Sequence, residues 1–217
     1  MKRKHLVSVV AAAGIASVSS ATNLLWMDVA GGSLSQTDFV AKGYGHRVTS
    51  TVMGNYQYGS EGGFTPNISA SYTPDSGPWG SGYGDLPTAM WGVQAASSGA
   101  PNDHPVSMTL SADPGWFVQL RSIRLADWSG STSDQTTLRA LDGNNNELFS
   151  WTGIPDTNTN TLIVFPNVVA QTVTLTWNNA WHTGGRELIF SQTDSIPEPA
   201  TLALLGAAGF AALRRRR

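Results

Sequence analysis

Between Thr22 and Ser195 apolar and polar residues alternate, and no helical period of useful length interrupts them. Val106-Ser107-Met108-Thr109-Leu110 and Val173-Thr174-Leu175-Thr176-Trp177 show the cleanest alternation. A period of two built from Thr, Val, Ile and aromatic residues places every second side chain on one face, the mark of a half-buried strand. Shorter segments of the same kind are Leu24–Val29, Arg47–Val52, Asn67–Tyr72, Thr88–Val93, Leu138–Leu141, Glu147–Trp151, Thr161–Phe165 and Arg186–Ser191. In Phe117–Leu125 the phase changes: Val118 and Leu120 share one phase, Ile123 and Leu125 the other. A one-residue slip turns every side chain to the opposite face, so a bulge or bend near Arg121-Ser122 is predicted. About eleven such segments predict an all-β fold, a two-sheet β-sandwich.

Turn chemistry supports the strand reading. Asp142-Gly143-Asn144-Asn145-Asn146 separates two of the segments and predicts a hairpin loop. It lacks the spaced acids and closing Glu of an EF-hand calcium loop. Ser76–Tyr83 is read as too glycine-rich for a strand.

The two ends break this pattern. Met1-Lys2-Arg3-Lys4-His5 is cationic, Leu6 to Val18 is apolar, and Ser19-Ser20-Ala21 puts small residues before a cleavage position. Residues 1–21 therefore predict a signal peptide cut after Ala21, with passage through the Sec export machinery. At the other end Pro197-Glu198-Pro199 interrupts structure, because each proline removes a donor and fixes φ. Ala200 to Leu213 follows without a charge, and Arg214, Arg215, Arg216 and Arg217 close the chain. As a helix the uncharged run spans roughly 21 Å, short of the ~30 Å hydrocarbon core of a bilayer. The arginines would hold it from the cytoplasmic side. A short helix of this kind suits transient inner-membrane anchoring. Residues 22–195 are thus expected to be the ectodomain, flanked by a signal helix and a short C-terminal hydrophobic helix over 196–217.

Charge is distributed accordingly. The whole chain has 13 basic and 15 acidic residues. Seven of the basic residues and one acid lie in the two ends, which leaves residues 22–195 with six against fourteen, a net −8. So acidic a domain argues against nucleic acid as a partner. The chain has no cysteine, which excludes disulfides, thiolate catalysis and cysteine metal sites.

Little else marks a catalytic centre. His46, His104 and His182 have no zinc spacing, and no Gly-x-Ser-x-Gly elbow occurs. Glu61, Glu147 and Glu187 are the glutamates of the central region. Glycoside hydrolysis needs two carboxylates across a cleft, and none of these stands in a setting that marks such a pair. Trp79 in Ser76–Tyr83, Trp128 before a Ser/Thr loop and Trp181 after Asn178-Asn179 are the candidate glycan contacts. Rings in loops can stack on sugar faces, or they can close the ends of a sandwich.

Two resemblances add to this. The order Pro197-Glu198-Pro199, Ala200–Leu213, Arg214–Arg217 resembles the PEP-CTERM sorting signal. That resemblance implies recognition by an exosortase, a membrane-embedded cysteine transpeptidase of Gram-negative-type bacteria, in a family associated with exopolysaccharide and biofilm. The stretches Gly82-Tyr83-Gly84-Asp85-Leu86, Leu110–Trp116, Leu125-Ala126-Asp127-Trp128 and Leu141-Asp142-Gly143-Asn144 look like a recurrent ectodomain of such proteins. That ectodomain is similar to the galactose-binding-like jelly roll of many carbohydrate-binding modules, and the likeness covers about residues 80–191. Such domains often close on a Gly-Leu-Asp-Asn-Ile-like strand whose Asp helps to hold a structural calcium ion. Here Gly185-Arg186-Glu187-Leu188-Ile189-Phe190 stands there, and Arg186 brings a positive charge instead. No cofactor is expected. Residues 30–80 resemble nothing that suggests a role.

The expectation is an exported surface or extracellular-matrix protein, sorted by an exosortase, non-enzymatic, with exopolysaccharide as the partner of its aromatic residues. The alternative is a secreted carbohydrate-active enzyme of the glycoside hydrolase kind.

Overall fold

The alternating segments pair into two antiparallel sheets. A computed structural model of the chain describes residues 21–24, 65–73, 76–79, 82–92, 105–128 and 135–194. In chain order the strands are β1 (Ala21–Leu24), β2 (Ile68–Tyr72), β3 (Ser76–Trp79), β4 (Ala89–Gly92), β5 (Val106–Ala112) and β6 (Phe117–Asp127). They continue as β7 (Thr136–Asp142), β8 (Glu147–Gly153), β9 (Thr161–Val164), β10 (Val169–Ala170), β11 (Thr172–Trp177) and β12 (Thr183–Thr193). No helix occurs among the described residues.

One sheet is built on the two longest strands, β6 and β12, with 11 residues each. The far side of β6 takes β10 and then β9 along its length. The far side of β12 takes β1 near its C-terminal end and β4 near its N-terminal end, with β3 outside β4. The other sheet has the order β2-β5-β11-β7-β8. Between them lies one core. Val106, Met108 and Leu110 of β5 and Val173, Leu175 and Trp177 of β11 meet Met90, Leu120, Ile123, Leu125, Leu188 and Phe190 of the facing sheet. Trp177 links the layers: its Nε1–H donates to the Thr183 carbonyl at 3.1 Å, and its ring lies against Gly185. Burying a side chain of this kind is worth roughly 1.5–3 kcal/mol, which is why the alternation settles the register.

The expected bulge is present. In β6 the pairing steps from Ser122↔Ile189 to Leu120↔Phe190, so Arg121 is the extra residue, and it is exposed. A second bulge compensates it. Between Arg186↔Arg124 and Ile189↔Ser122 strand β12 carries one extra residue, and Glu187 takes a φ of 52° there. A positive φ on a non-glycine residue is uncommon, and a bulge is one of the few places that accommodates it.

The hairpin between β7 and β8 is also as expected. The Asp142 carboxylate accepts from the backbone N–H of Asn144 and Asn146 and from the Asn146 amide, at 2.8–2.9 Å. Those bonds, led by the Asn146 side chain, hold the Asp142 carboxyl below its ordinary pKa.

Three expectations are corrected. Ser76–Trp79 is a strand, because at the sheet edge it has only β4 to satisfy and a proline is tolerated there. The first strand covers Ala21–Leu24 instead of starting at Leu24, since Thr22 and Leu24 are buried against β12. The last strand begins at Thr183, three residues earlier than Arg186, because Thr183, Gly184 and Gly185 pair with Asp127, Ala126 and Leu125. Short β10 had no alternation to announce it. Arg47–Val52 and residues 25–29 lie outside the described residues. So does Ala200–Leu213, and no described helix is long and apolar enough to cross a membrane.

Candidate functional site: aromatic rings beside a charged network

Leu125 and Gly185 point into the core, so their neighbours Arg124, Ala126, Gly184 and Arg186 point outward from the same sheet. On that outer face a second apolar cluster forms, separate from the main core. It contains Tyr83, Leu86, Ala89, Trp91 and Ala126, with Trp79, Trp128 and Trp181 packed against it. Five chain segments meet here. Trp79 ends β3 opposite Ala89, and Trp91 lies in β4. Trp128 follows β6 and bridges to Tyr83. Trp181 sits in the turn before β12.

The rings form an unbroken chain. Trp181 and Trp91 have centroids 4.7 Å apart, Trp91 and Trp79 also 4.7 Å, Trp79 and Trp128 6.2 Å, and Trp128 and Tyr83 5.3 Å. Their planes are tilted by 48–77° to one another, the edge-to-face preference of aromatic quadrupoles. The Tyr83 hydroxyl closes the ring of contacts by donating to the Trp181 carbonyl at 2.6 Å. Burial, and after it the charge of Asp127, pushes the Tyr83 hydroxyl far above its ordinary pKa. It therefore remains a donor at any physiological pH.

Two glycines make the assembly feasible. Gly82 has a φ of +100°, and a Cβ there would meet the Trp128 ring at 2.3 Å. A Cβ on Gly184 would lie 2.6 Å from that of Ala89 and 2.8 Å from the Tyr83 ring. The backbone under Tyr83 and beside Trp128 is thus as close as atoms allow.

Alongside the rings runs a polar network. Arg124 Nε donates to Glu187 Oε2 at 2.6 Å and Arg124 Nη1 to Asn160 Oδ1 at 2.7 Å. The Asn160 amide then donates to Asp85 Oδ1 at 2.7 Å. Arg186, 5% exposed, donates from Nη1 to Thr88 Oγ1 at 2.7 Å, and its Nε lies 3.9 Å from Glu187 Oε1. Arg124 and Glu187 are each about one-third exposed, so their ion pair contributes little to stability, on the order of 0–1 kcal/mol. Asp85 lies in the same loop as Tyr83, and Thr88 adjoins Ala89, so the network and the rings share one continuous surface.

All three tryptophans singled out from the sequence meet in this one cluster, each partly buried. Trp91 and Tyr83 were missed, since each reads as an ordinary strand or loop residue. Arg124, Asn160 and Asp85 come together only through the fold. The three tryptophans are the local signal that marked the region. Glu147 lies on the other sheet, 3.6 Å from Arg139, and His182 lies in the turn after Trp181. Ala21 opens β1 opposite Ser191, so a cut after it puts the new N-terminus inside that strand. His46, Glu61, His104, Pro197, Glu198, Pro199 and Arg214–Arg217 lie outside the described residues. Among the described residues no three His, Asp or Glu side chains gather around a common point.

Residues 195–217 match the PEP-CTERM protein-sorting motif. The match indicates an exported protein, anchored transiently at the membrane and handled by an exosortase. No curated protein sequence matches the chain. Among solved structures, an arabinose-bound MgGH51 α-L-arabinofuranosidase is similar at 15% identity and a TM-score of 0.33, over 80% of this chain and 26% of that one. The Arthrobacter globiformis T6 isomalto-dextranase complexed with panose is similar at 12% identity and a TM-score of 0.33, over 82% of this chain and 35% of that one. The chain spans about a quarter to a third of the length of these enzymes, and likenesses this distant carry no argument about activity.

Proposed function

We propose that the protein is a non-enzymatic surface or extracellular-matrix component whose ectodomain binds a polysaccharide through the aromatic cluster. In this reading it leaves the cell through the Sec machinery, is held briefly in the inner membrane by residues 196–217, and passes to the surface after exosortase processing. The ectodomain is read as a galactose-binding-like jelly roll, with exopolysaccharide as its ligand. The observation that carries the proposal is the convergence of Trp79, Trp128 and Trp181 with Trp91 and Tyr83 on one outer face. Trp79, Trp128 and Trp181 each keep part of their surface open to solvent. Such rings offer apolar faces to sugar C–H groups, and neighbouring polar side chains supply bonds to hydroxyls. The glutamate on this face, Glu187, is engaged with Arg124 as an ion-pair partner.

Polysaccharide pull-down with the purified protein and its Trp79→Ala and Trp181→Ala variants tests the proposal. Retention on at least one polysaccharide, lowered about tenfold or more by either substitution in a variant of unchanged circular dichroism, is expected. Retention that both variants keep in full would leave the cluster a packing feature. Release of reducing sugar from the bound polysaccharide would favour the carbohydrate-active enzyme instead.

A further inference from the structure

We infer that the Asp85–Asn160–Arg124–Glu187 network is the specificity half of the glycan site, and that the ligand is a neutral, soluble, single-chain glycan. This rests on the reading of the aromatic cluster as a glycan site. Three features of the surface select the ligand class.

The first is ring geometry. A flat crystalline polysaccharide needs aromatic faces that are coplanar and aligned. Here successive planes are tilted by 60°, 77°, 67° and 48°, so no two neighbouring rings can lie on one flat surface. Tilted facets suit separate residues of a flexible chain that can turn from one ring to the next.

The second is charge. Asp85 and Glu187 balance Arg124 and Arg186 on this face, and both arginines are engaged, by Glu187, Asn160 and Thr88. A polyuronate or sulfated chain would find no uncommitted cation in the network and would meet a central region of net charge −8. Carboxylate and amide oxygens instead offer acceptors to neutral sugar hydroxyls.

The third is where the chain leaves the domain. β1 and β12 are antiparallel, with Ala21 opposite Ser191, and the sorting motif at 195–217 follows β12 in the chain. The rings cover Gly184, seven residues back along β12, or roughly 20 Å at about 3.3 Å per residue. A molecule held by its C-terminal tail carries the cluster at the end of β12 remote from that tail.

Affinity electrophoresis of the full chain decides the matter. The gels contain soluble neutral glucan, galactan or mannan, or alginate as the polyanion, at low and high salt; sedimentation with microcrystalline cellulose covers the flat surface. Retardation by at least one neutral glycan is expected, changing less than about twofold with salt. The variants Asp85→Asn and Asn160→Ala are expected to weaken it about tenfold, and Trp79→Ala at least as much. Binding confined to alginate or cellulose, and lost in Trp79→Ala, would overturn the ligand class while keeping the cluster as a glycan site. Neutral-glycan binding that Trp79→Ala lowers but Asp85→Asn and Asn160→Ala leave unchanged would overturn the role of the network. Failure to bind any of these probes would overturn both readings.

Discussion

The two solvent-facing sides of this sandwich are built by the same alternation and end up chemically unlike. On the β2-β5-β11-β7-β8 sheet the outward positions are mostly Ser and Thr: Ser71, Thr109, Thr174, Thr176, Thr137 and Thr152. Their hydroxyls bond to each other and to neighbouring carbonyls, as in Thr109–Thr174 at 3.0 Å, Thr137–Thr152 at 3.1 Å and Thr176 to the Val106 carbonyl at 2.7 Å. An open concavity of about 270 Å³ lies there, lined by Pro105, Thr137, Arg139, Thr176, Trp177 and Asn178. Its hydroxyls are largely satisfied within the sheet. On the opposite sheet, small residues at Ala126 and Gly184 let a loop and four tryptophans settle on top. The hydroxyl face is polar and self-satisfied, while the built-over face carries partly buried rings and charged groups. The two faces thus differ less in shape than in what is mounted on each sheet.

The largest expected effect tests whether the two faces stand on a common frame. Trp177 is 1% exposed, comes from the hydroxyl-faced sheet and reaches Gly185 and Thr183 of the other. Trp177→Ala is expected to destabilise the fold by about 3–5 kcal/mol and to leave the Thr183 carbonyl without this donor. Chemical denaturation measures it. A loss below about 1 kcal/mol would mean that the sheets do not depend on this contact.

Gly184→Val attacks only the aromatic side. Its new Cβ would lie under 3 Å from Ala89 and the Tyr83 ring. Overpacking of this kind costs about 1–3 kcal/mol. The variant should lose cooperative unfolding of the cluster, seen in tryptophan fluorescence, while amide exchange in β2, β5 and β11 stays near the wild-type level. Equal loss of protection in both sheets would show that the faces are not separable.

The difference between the faces also explains what could be read from the chain. The hydroxyl-faced sheet was legible almost strand for strand, because Val106–Leu110 and Val173–Trp177 each carry their own alternation and the 142–146 turn its own chemistry. The phase change at Arg121-Ser122 was legible for the same reason, as a break in a local period. The aromatic face was legible only in part. Trp79, Trp128 and Trp181 stood out in loops, but Trp91 hid in a short strand and Ser76–Trp79 was read as too glycine-rich to pair. The Arg124–Glu187 pair depends on the bulge at Glu187, and Asp85–Asn160 joins positions far apart in the chain. Contacts set by tertiary register leave no period in the sequence. The tail was legible because sorting signals are read as linear segments, and residues 195–217 match as expected.

Tyr83→Phe sharpens the comparison on the aromatic side. The change removes the donor to the Trp181 carbonyl, at a cost of about 1 kcal/mol near neutral pH. It should also alter the alkaline limb of stability. In the unfolded chain tyrosine ionises near its ordinary value of about 10. In the folded protein burial, then Asp127, keeps Tyr83 protonated well above that. The unfolded state then holds fewer protons, so stability is intact below about pH 10 and falls as pH rises further. Denaturation of wild type and variant across this window should show a shallower fall for Tyr83→Phe, by up to one proton. Parallel curves would mean that Tyr83 ionises freely and is not sealed by the rings.

Thr174→Val should have the smallest effect, and for that reason it tests the claim made for the hydroxyl face. Valine keeps the shape and β-branching and removes the 3.0 Å bond to Thr109. Thr109 is only partly buried, so its hydroxyl can turn to water when the partner goes. The expected change is within about 0.5 kcal/mol by denaturation, with no change in glycan retardation. A loss above about 1 kcal/mol would show that the hydroxyl ladder acts as a connected network. A loss of glycan binding without loss of stability would move the binding face to this sheet, and the distinction between the two sides would reverse.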